Sequence, residues 1–377
     1  FLSSAVLWQL IWLWKNRPTA GRLLLLGVTI GLAILSKNAG ILLFLFAMFF
    51  LLLFHLQGGV TGWQEKLWLW SRQTAVYLLL PVLLLAGWLW WRNWQLYGDL
   101  TATNQFIHIA GGDRGYNLGQ VLAESNSLWR SLFAVFGWFN LLAPPWVYWL
   151  WSSLVLLGMG GLIRSELLAW RNEVPAQAKS WIKKRLLPLL LAGWFAVVYT
   201  GLVLFMLRTP AAQGRLLFPA ILPLALGLAY GLDSWGWRPL VWLAPAAALV
   251  TTVYSLAGVI IPFYQAPPVV AALPDTAIRL EREMGAGLTL LGVEMETETA
   301  VPGDILWFTL YWQTEEPPTS PPELVIDVLG RDLEPLGNSH SYHGRGMYPA
   351  TEWPDGEIVA DRMGIRLKED AAVPVLA

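Results

Sequence analysis

The sequence predicts an α-helical polytopic membrane protein with a C-terminal all-β domain, sandwich-like and extracytoplasmic. Of its 377 residues 56% are hydrophobic and only 14% are charged, whereas soluble domains carry about 25% charge. All of its 24 tryptophans except Trp307, Trp312 and Trp353 lie before residue 263, as aromatic belts at a membrane interface would require. Residues 1–262 hold 18 Lys and Arg against 7 Asp and Glu, whereas residues 263–377 hold 7 against 19.

These contrasts divide the chain into three predicted parts. Residues 1–262 form a multi-pass helical domain, 263–285 a Pro-rich linker and 286–377 a β-domain. Because Phe1 stands inside an apolar run and the β-domain is short, we expect sequence to be missing at both ends. The lack of Cys excludes disulfides and thiolate chemistry.

Eight apolar segments predict membrane helices, because a bilayer core of about 30 Å needs roughly 20 apolar residues and backbone groups in lipid must pair within the helix. They are residues 1–14 (cut short), 22–36, 40–56, 74–91, 143–163, 187–207, 216–232 and 239–262. Aromatic spacing over 127–143 predicts a further helix in the outer interface, which the Pro144-Pro145 pair ends before the next span begins. The Gly-rich stretch AGGDRGYNLGQ predicts a mobile loop, with a phosphate-binding nest as the weaker alternative.

The distribution of basic residues between the loops predicts the orientation. One side holds twelve: Lys15, Arg17, Arg22, Lys66, Arg72, Arg164, Arg171, Lys179, Lys183, Lys184, Arg185 and Arg238. The other side holds six: Lys37, Arg92, Arg114, Arg130, Arg208 and Arg215. We expect the richer side to be cytoplasmic, which places the loop 92–142 and the C-terminal domain outside. A basic membrane half and an acidic soluble half suit the inner (plasma) membrane of a bacterium.

The C-terminal part changes to a period of two residues. In DILWFTLYWQ, Leu306, Phe308, Leu310 and Trp312 fall on one face of a strand. Residues 288–297, 304–313, 323–330 and 357–367 are predicted strands, separated by Pro, Gly and Asp turns. Short strands without helices predict a β-sandwich, which would expose an unpaired edge if its closing strands are missing.

Ionisable side chains at the outer helix ends are the candidate site residues, because charge near a membrane helix is costly and usually functional. Lys37 lies in the bend LSKNAG, where it could face a lipid phosphate or simply extend to the interface. Arg92, with Asn93, Tyr97 and Asp99, closes the next helix. These residues could bind a phosphate and a sugar, or an Arg–Asp pair could pin the helix exit.

The remaining candidates give weaker signals. Arg208 and Arg215 bracket TPAAQG, where Gln213 and a helix start suggest an anion site or a structural turn. His55 has no predicted partner. His340 and His343 could hold a metal by spacing, but a solvated loop is the favoured interpretation. We find no Walker loop, nucleophile elbow, metalloprotease helix or dinucleotide fingerprint, and no basic stripe for nucleic acid.

Four stretches carry a family resemblance: GLAILSKNAGILLF, WRNWQLYGDLTA, LFAVFGWFNLLAPPWVYW and QGRLLFPAILPLALGL. In this order they resemble motifs of the bacterial polyprenyl-phosphate-dependent membrane glycosyltransferases, the type related to protein mannosyltransferases and aminoarabinose transferases. The chain departs from the family pattern at Leu100, where the family has Pro, and at Leu216, where it has Tyr. The β-domain is similar to a module often appended to such proteins.

The resemblance implies transfer of a sugar from a polyprenyl-phosphate donor to an envelope glycan, lipid or protein acceptor on the outer membrane face. It places the catalytic carboxylate upstream of Phe1. The donor phosphate would be bound by Lys37, Arg92 and Arg215, and Asn93, Tyr97, Asp99 and Gln213 would shape the pocket. Cofactors are not expected to be required, and no ligand cluster supports a divalent metal; the expected partners are the lipid donor, the acceptor and membrane lipids.

Two other functions remain open at this point. A transporter or lipid flippase would also use charges near membrane helices, although these usually lie at the membrane midplane. A non-catalytic membrane anchor could present a glycan-binding β-module, with Trp307, Tyr311 and Trp312 stacking on sugars.

Overall fold

The computed structural model describes residues 1–16, 18–57, 62–137, 139, 141–172, 178–297, 299–330, 333–368 and 371, without the side chains at 170, 172 and 178–184. Arg17 and the side chains of Lys179, Lys183 and Lys184, which contribute to the predicted orientation, lie outside this description. The chain divides into two compact units. Unit 1 contains residues 1–133 and 148–247, and unit 2 contains residues 134–147 and 248–377.

Each of the eight predicted membrane segments is helical. The helices are α1 Leu2–Lys15, α2 Ala20–Ser36, α3 Gly40–Gln57, α4 Trp63–Gln73, α5 Leu80–Tyr97, α6 Thr103–Ile109, α7 Leu118–Ala123, α8 Ser125–Phe133, α9 Pro145–Asn172, α10 Ala178–Met206, α11 Ile221–Asp233, α12 Leu240–Tyr254 and α13 Ile261–Phe263. Within the described residues, six helical stretches are long and apolar enough to cross a membrane: Gly40–Gln57, Trp63–Tyr97, Pro145–Ala169, Arg185–Met206, Gly214–Asp233 and Leu240–Phe263. The shorter α2 is also apolar. The chain is therefore a multi-pass membrane protein.

Two spans contain a π-helical turn directly before a proline. Thr74–Leu79 precedes Pro81, and Ser255–Ile260 precedes Pro262. Proline donates no backbone hydrogen bond and its ring clashes with the carbonyl four residues earlier, so a wider turn accommodates it. In the first span that carbonyl belongs to Tyr77, and a Cβ added to Gly27 of α2 would lie 2.1 Å from its oxygen. Glycine at position 27 therefore allows α2 to pack against the widened turn.

Small residues also set the distance between α9 and α11. A Cβ added to Gly161 would lie 1.8 Å from the carbonyl oxygen of Gly231, and one added to Gly231 would lie 2.1 Å from that of Gly158. Close approach through glycine is the usual way in which membrane helices gain packing contacts, since lipid gives no hydrophobic drive between them. The main core of unit 1 is aliphatic, with Trp194 buried among its leucines and isoleucines.

The prediction of an interfacial helix over residues 127–143 is wrong for the second half of this segment. α8 ends at Phe133, and β1 Val135–Phe136 pairs with β2 Leu141–Leu142 as a short antiparallel hairpin. The hairpin turn uses positive φ at Gly137 (60°) and Phe139 (67°), a conformation that cannot continue a right-handed helix. Pro145 does begin α9, as predicted, because proline is well suited to the first helical turn.

Unit 2 is dominated by antiparallel β-structure, as predicted. Its strands beyond the hairpin are β3 Val269–Val270, β4 Ile278–Gly285, β5 Leu288–Met295, β6 Ile305–Thr314, β7 Glu323–Leu329, β8 Pro335–Tyr342 and β9 Ile358–Arg366. One sheet has the order β3-β9-β6-β5-β4, and β7 pairs with β8 in a second, two-stranded sheet. Leu324 of the second sheet packs into one core with Phe308, Leu310 and Met363 of the first, which makes the arrangement sandwich-like.

The segment predicted as a linker, 263–285, contains ordered strand at both edges of the larger sheet. Val269 pairs with Val359 of β9, and β4 pairs with β5 from Ile278 to Gly285. The strand β4 was not predicted because its residues are exposed and many are charged. The strand β8 was not predicted because its sequence, PLGNSHSY, is rich in turn-forming residues.

Candidate functional site

The turn that carries Lys37 is tight and tied to a distant loop. Lys37 caps the end of α2, and its carbonyl accepts the backbone N–H of Gly40 at 2.8 Å as α3 begins. The amide of Asn38 donates to the carbonyl of Thr101 at 2.6 Å. This bond holds the α2–α3 turn against the loop that follows α5. Nothing in the sequence indicated that Asn38 has this role.

That loop is shaped by the end of α5. Gly98 has a φ of 64°, which glycine adopts without a Cβ clash, and it ends the helix. Asn93 is 5% exposed and its amide donates to the carbonyl of Leu100 at 3.1 Å. The predicted pocket residue Asn93 thus fixes the backbone of the exit loop.

Asp99 is engaged by backbone donors. Its carboxylate accepts the N–H groups of Asn104 at 3.1 Å and Thr101 at 2.9 Å, together with the Thr101 hydroxyl. The bonds from Asn104 and Thr101 hold the pKa of Asp99 below its ordinary value. Asp99 therefore bonds the loop after α5 to the first turn of α6. Among the contacts of described residues, none joins Asp99 to Arg92. The helix exit is therefore held by bonds from Asp99 to backbone groups, and not by the Arg–Asp pair that the sequence suggested as an alternative.

Arg215 stands at the start of the turn that leads into α11. Its Nε donates to the amide oxygen of Gln213 at 2.8 Å, so the two predicted residues form one polar unit. The preceding Gly214 donates its N–H to the hydroxyl of Ser131 at 2.7 Å, and a Cβ there would lie 2.1 Å from the Leu132 nitrogen. Only glycine allows this approach, which fixes the backbone beside Arg215.

Lys37 and Arg215, the cation pair, lie close enough for their charges to interact. Lys37 is exposed, yet the atoms packed around it and then the positive charge of Arg215 lower its pKa from the ordinary value of 10.5. Among the described residues, no carboxylate forms an ion pair with either side chain. Two neighbouring cations without a carboxylate between them favour an anionic ligand.

Arg92 has no described bond to the cation pair. It is exposed on α5, and no contact between described residues joins it to Lys37 or Arg215. Tyr97 is 44% exposed on the same helix. An open apolar groove runs along this helix, lined by Leu83, Gly87, Trp90, Trp91, Trp94 and Leu100. Of the three predicted cations, Arg215 acts on the pKa of Lys37, and the joint binding of a phosphate by all three stays a prediction.

The Gly-rich stretch, residues 110–120, is a loop up to the start of α7, as predicted. Hydrogen bonds and an ion pair join this loop to the end of α10. The guanidinium of Arg114 forms a two-bond ion pair with Glu124 and also donates to the carbonyl of Met206. Arg208 pairs with Asp113 at 2.8 Å. Only the capping box at the start of α7 corresponds to a short sequence pattern, because the other contacts span about ten to a hundred positions.

The predicted stacking residues of the β-domain are largely covered. Trp312 is 2% and Tyr311 4% exposed, and the Tyr311 hydroxyl donates to Glu294 at 2.6 Å. Burial, and then the hydrogen bond to Glu294, raise the pKa of Tyr311. The guanidinium of Arg362 lies 4.2 Å from the ring centre of Trp307 and covers it. These rings therefore contribute to the folded domain and present little free face to a sugar.

His343 is buried, so the predicted solvated loop is wrong at this position. It is 3% exposed between the rings of Trp312 and Trp353, with ring centres 4.8 and 5.0 Å away. Its Nδ1 lies 3.8 Å from the buried carboxylate of Asp361. His340 is exposed on β8. Across the described part of the chain, no group of three His, Asp or Glu side chains has the geometry to hold a metal ion.

Comparison with protein families, curated proteins and solved structures finds no match for this chain.

Proposed function

We propose that the protein, in its full length, is a membrane glycosyltransferase that moves a sugar from a polyprenyl-phosphate donor to an envelope acceptor. The observation that carries the proposal is the cation pair of Lys37 and Arg215, which no described carboxylate neutralises. A lipid phosphate at a helix end is an anion that such a pair can bind. The resemblance of the surrounding motifs to the lipid-phosphate-dependent family supports the same ligand.

The proposed chemistry is one displacement at the sugar. The acceptor oxygen forms a bond to the anomeric carbon, the bond from that carbon to the phosphate oxygen breaks, and its electron pair stays on the phosphate. The acceptor proton passes to a base, to which we assign no residue of this chain. The cation pair stabilises the negative charge that grows on the departing lipid phosphate, an effect worth more where water is excluded.

We place this surface on the outer face of the bacterial inner membrane, with the β-domain also outside. The support is the distribution of charge over unit 1, because basic side chains are more numerous at the opposite helix ends. Lys37 follows the C-terminus of α2, for example, whereas Arg22 lies in its first turn.

The direct test is sugar transfer in proteoliposomes that contain the full-length protein and a polyprenyl-phosphate-linked sugar. The proposal predicts a glycosylated acceptor and release of the polyprenyl phosphate. A flippase would instead move the intact lipid between leaflets without cleaving it, which a leaflet-selective probe detects. Lipid translocation with no cleavage, across envelope acceptors of several classes, contradicts the proposal and favours the transporter.

Donor binding should weaken in alkaline solution because Lys37 binds only as a cation. Its pKa is lowered from 10.5, so the charged form is lost as pH rises through a value below 10.5. Arginine stays charged throughout this range. We expect the affinity for polyprenyl phosphate to fall in the wild-type protein at a pH below 10.5, and to stay flat in Lys37→Arg over the same range. The same decline in both proteins would show that another group titrates.

A further inference from the structure

The end of unit 1 opposite the cation pair places arginines on tryptophan rings. The guanidinium carbon of Arg22 lies 3.9 Å from the ring centre of Trp12, and that of Arg72 lies 5.3 Å from Trp68. A third pair joins α9 to the end of α11, where Arg164 lies 5.7 Å from Trp235. Three pairs, from different parts of the helix bundle, thus repeat one arrangement at the predicted basic ends of the helices.

In the part of this end that the structure describes, basic side chains outnumber acidic ones. The described basic side chains here are Lys15, Arg22, Lys66, Arg72, Arg164, Arg171, Arg185 and Arg238. The described acidic ones are Glu65, Glu166 and Asp233, and Glu166 is already bonded to Arg185. The net charge of these described side chains is therefore positive, which attracts an anionic partner.

The rings indicate the depth at which that partner lies. Trp68 is 57% and Trp235 41% exposed, although each carries an arginine. Tryptophan prefers the boundary between acyl chains and head groups, so the guanidinium beside it is held at the level of lipid phosphates. Arg72 is exposed, and the bidentate geometry of a guanidinium matches a phosphodiester.

We propose that these three pairs form a collar that binds the head groups of anionic phospholipids. A zwitterionic lipid offers the same phosphate, but its own cation cancels the net attraction. An anionic glycerophospholipid retains one net negative charge beside the collar. The inference is independent of the proposed glycosyl transfer, since it uses the opposite ends of the helices.

Arg72 is the position at which to test the collar. Arg164 also donates to the carbonyl of Ser234 at the end of α11, so its loss would disturb the helix. Arg72 has Trp68 as its one partner among the described residues. Arg92 is a matched control, because it is an exposed arginine on the same Trp63–Tyr97 span but near its other end.

The experiment is native mass spectrometry of the full chain in detergent, titrated with phosphatidylglycerol or with phosphatidylcholine of the same acyl chains. We expect tighter binding of phosphatidylglycerol, weakened about fivefold in Arg72→Gln and unchanged in Arg92→Gln. Arg72→Lys should restore most of the affinity, which separates charge from misfolding. Equal binding of the two lipids, or equal losses in Arg72→Gln and Arg92→Gln, would overturn the collar.

Discussion

Replacing Lys37 with alanine in the full-length protein is expected to lower the rate of sugar transfer by a factor of about 100 to 1,000. The reason is electrostatic, because a fixed cation at the departing phosphate acts where charge develops, and removal of one such group costs roughly that factor. Arg215→Ala should cause a loss of the same order, since its charge lies near Lys37. Single-turnover rates with a polyprenyl-phosphate sugar, at saturating donor, measure both effects.

Arg92→Ala is the matched control for these variants. Arg92 is an exposed cation at the same end of the helices, but it makes no described contact with the cation pair. We expect it to retain most of the activity, whereas all three variants should keep the thermal stability of the parent. Equal activity of Lys37→Ala, Arg215→Ala and the parent protein would remove the donor site from this surface.

The largest loss of stability is expected from Gly161→Ala. The added methyl group would lie 1.8 Å from the Gly231 carbonyl oxygen, so the two helix backbones must separate. Overpacking in a core costs about 1–3 kcal/mol when side chains can move, and here the obstacle is backbone. We therefore expect a cost of about 3 kcal/mol, which lowers the melting temperature by roughly 6–12 °C for a unit of this size. Thermal unfolding in detergent measures the change.

Gly227→Ala tests whether the effect is specific to the α9–α11 contact. Gly227 lies in α11 as well, but an added Cβ there meets nothing within 4 Å. Alanine favours helix over glycine by about 1 kcal/mol in water, so this variant should be neutral or slightly more stable. A similar loss of stability in Gly161→Ala and Gly227→Ala would show that the close approach of Gly161 to Gly231 does not govern stability.

The membrane helices and four of the nine described strands could be predicted because their signal is local. Long apolar runs determine helices in lipid, and alternation in DILWFTLYWQ determines β6. The hairpin at 135–142 could not be predicted from aromatic spacing, since its turn depends on φ values at Gly137 and Phe139. The exposed strand β4 lacks alternation, so only its pairing with β5 identifies it.

The candidate site could be predicted in part. Lys37 and Arg215 were found because charges at the ends of apolar helices are few and costly. The interaction of their charges depends on helix packing that no single sequence specifies. The bond from Asn38 to Thr101 and the ion pair of Arg114 with Glu124 join remote segments, so short motifs carry no sign of them.

A double-mutant cycle on the binding of polyprenyl phosphate most directly tests whether Lys37 and Arg215 share one anion. Dissociation constants would be measured for the parent, Lys37→Gln, Arg215→Gln and the double variant. If both cations contact one phosphate, the two losses are coupled by about 1 kcal/mol. Strictly additive losses, or binding that neither substitution weakens, would contradict a common site.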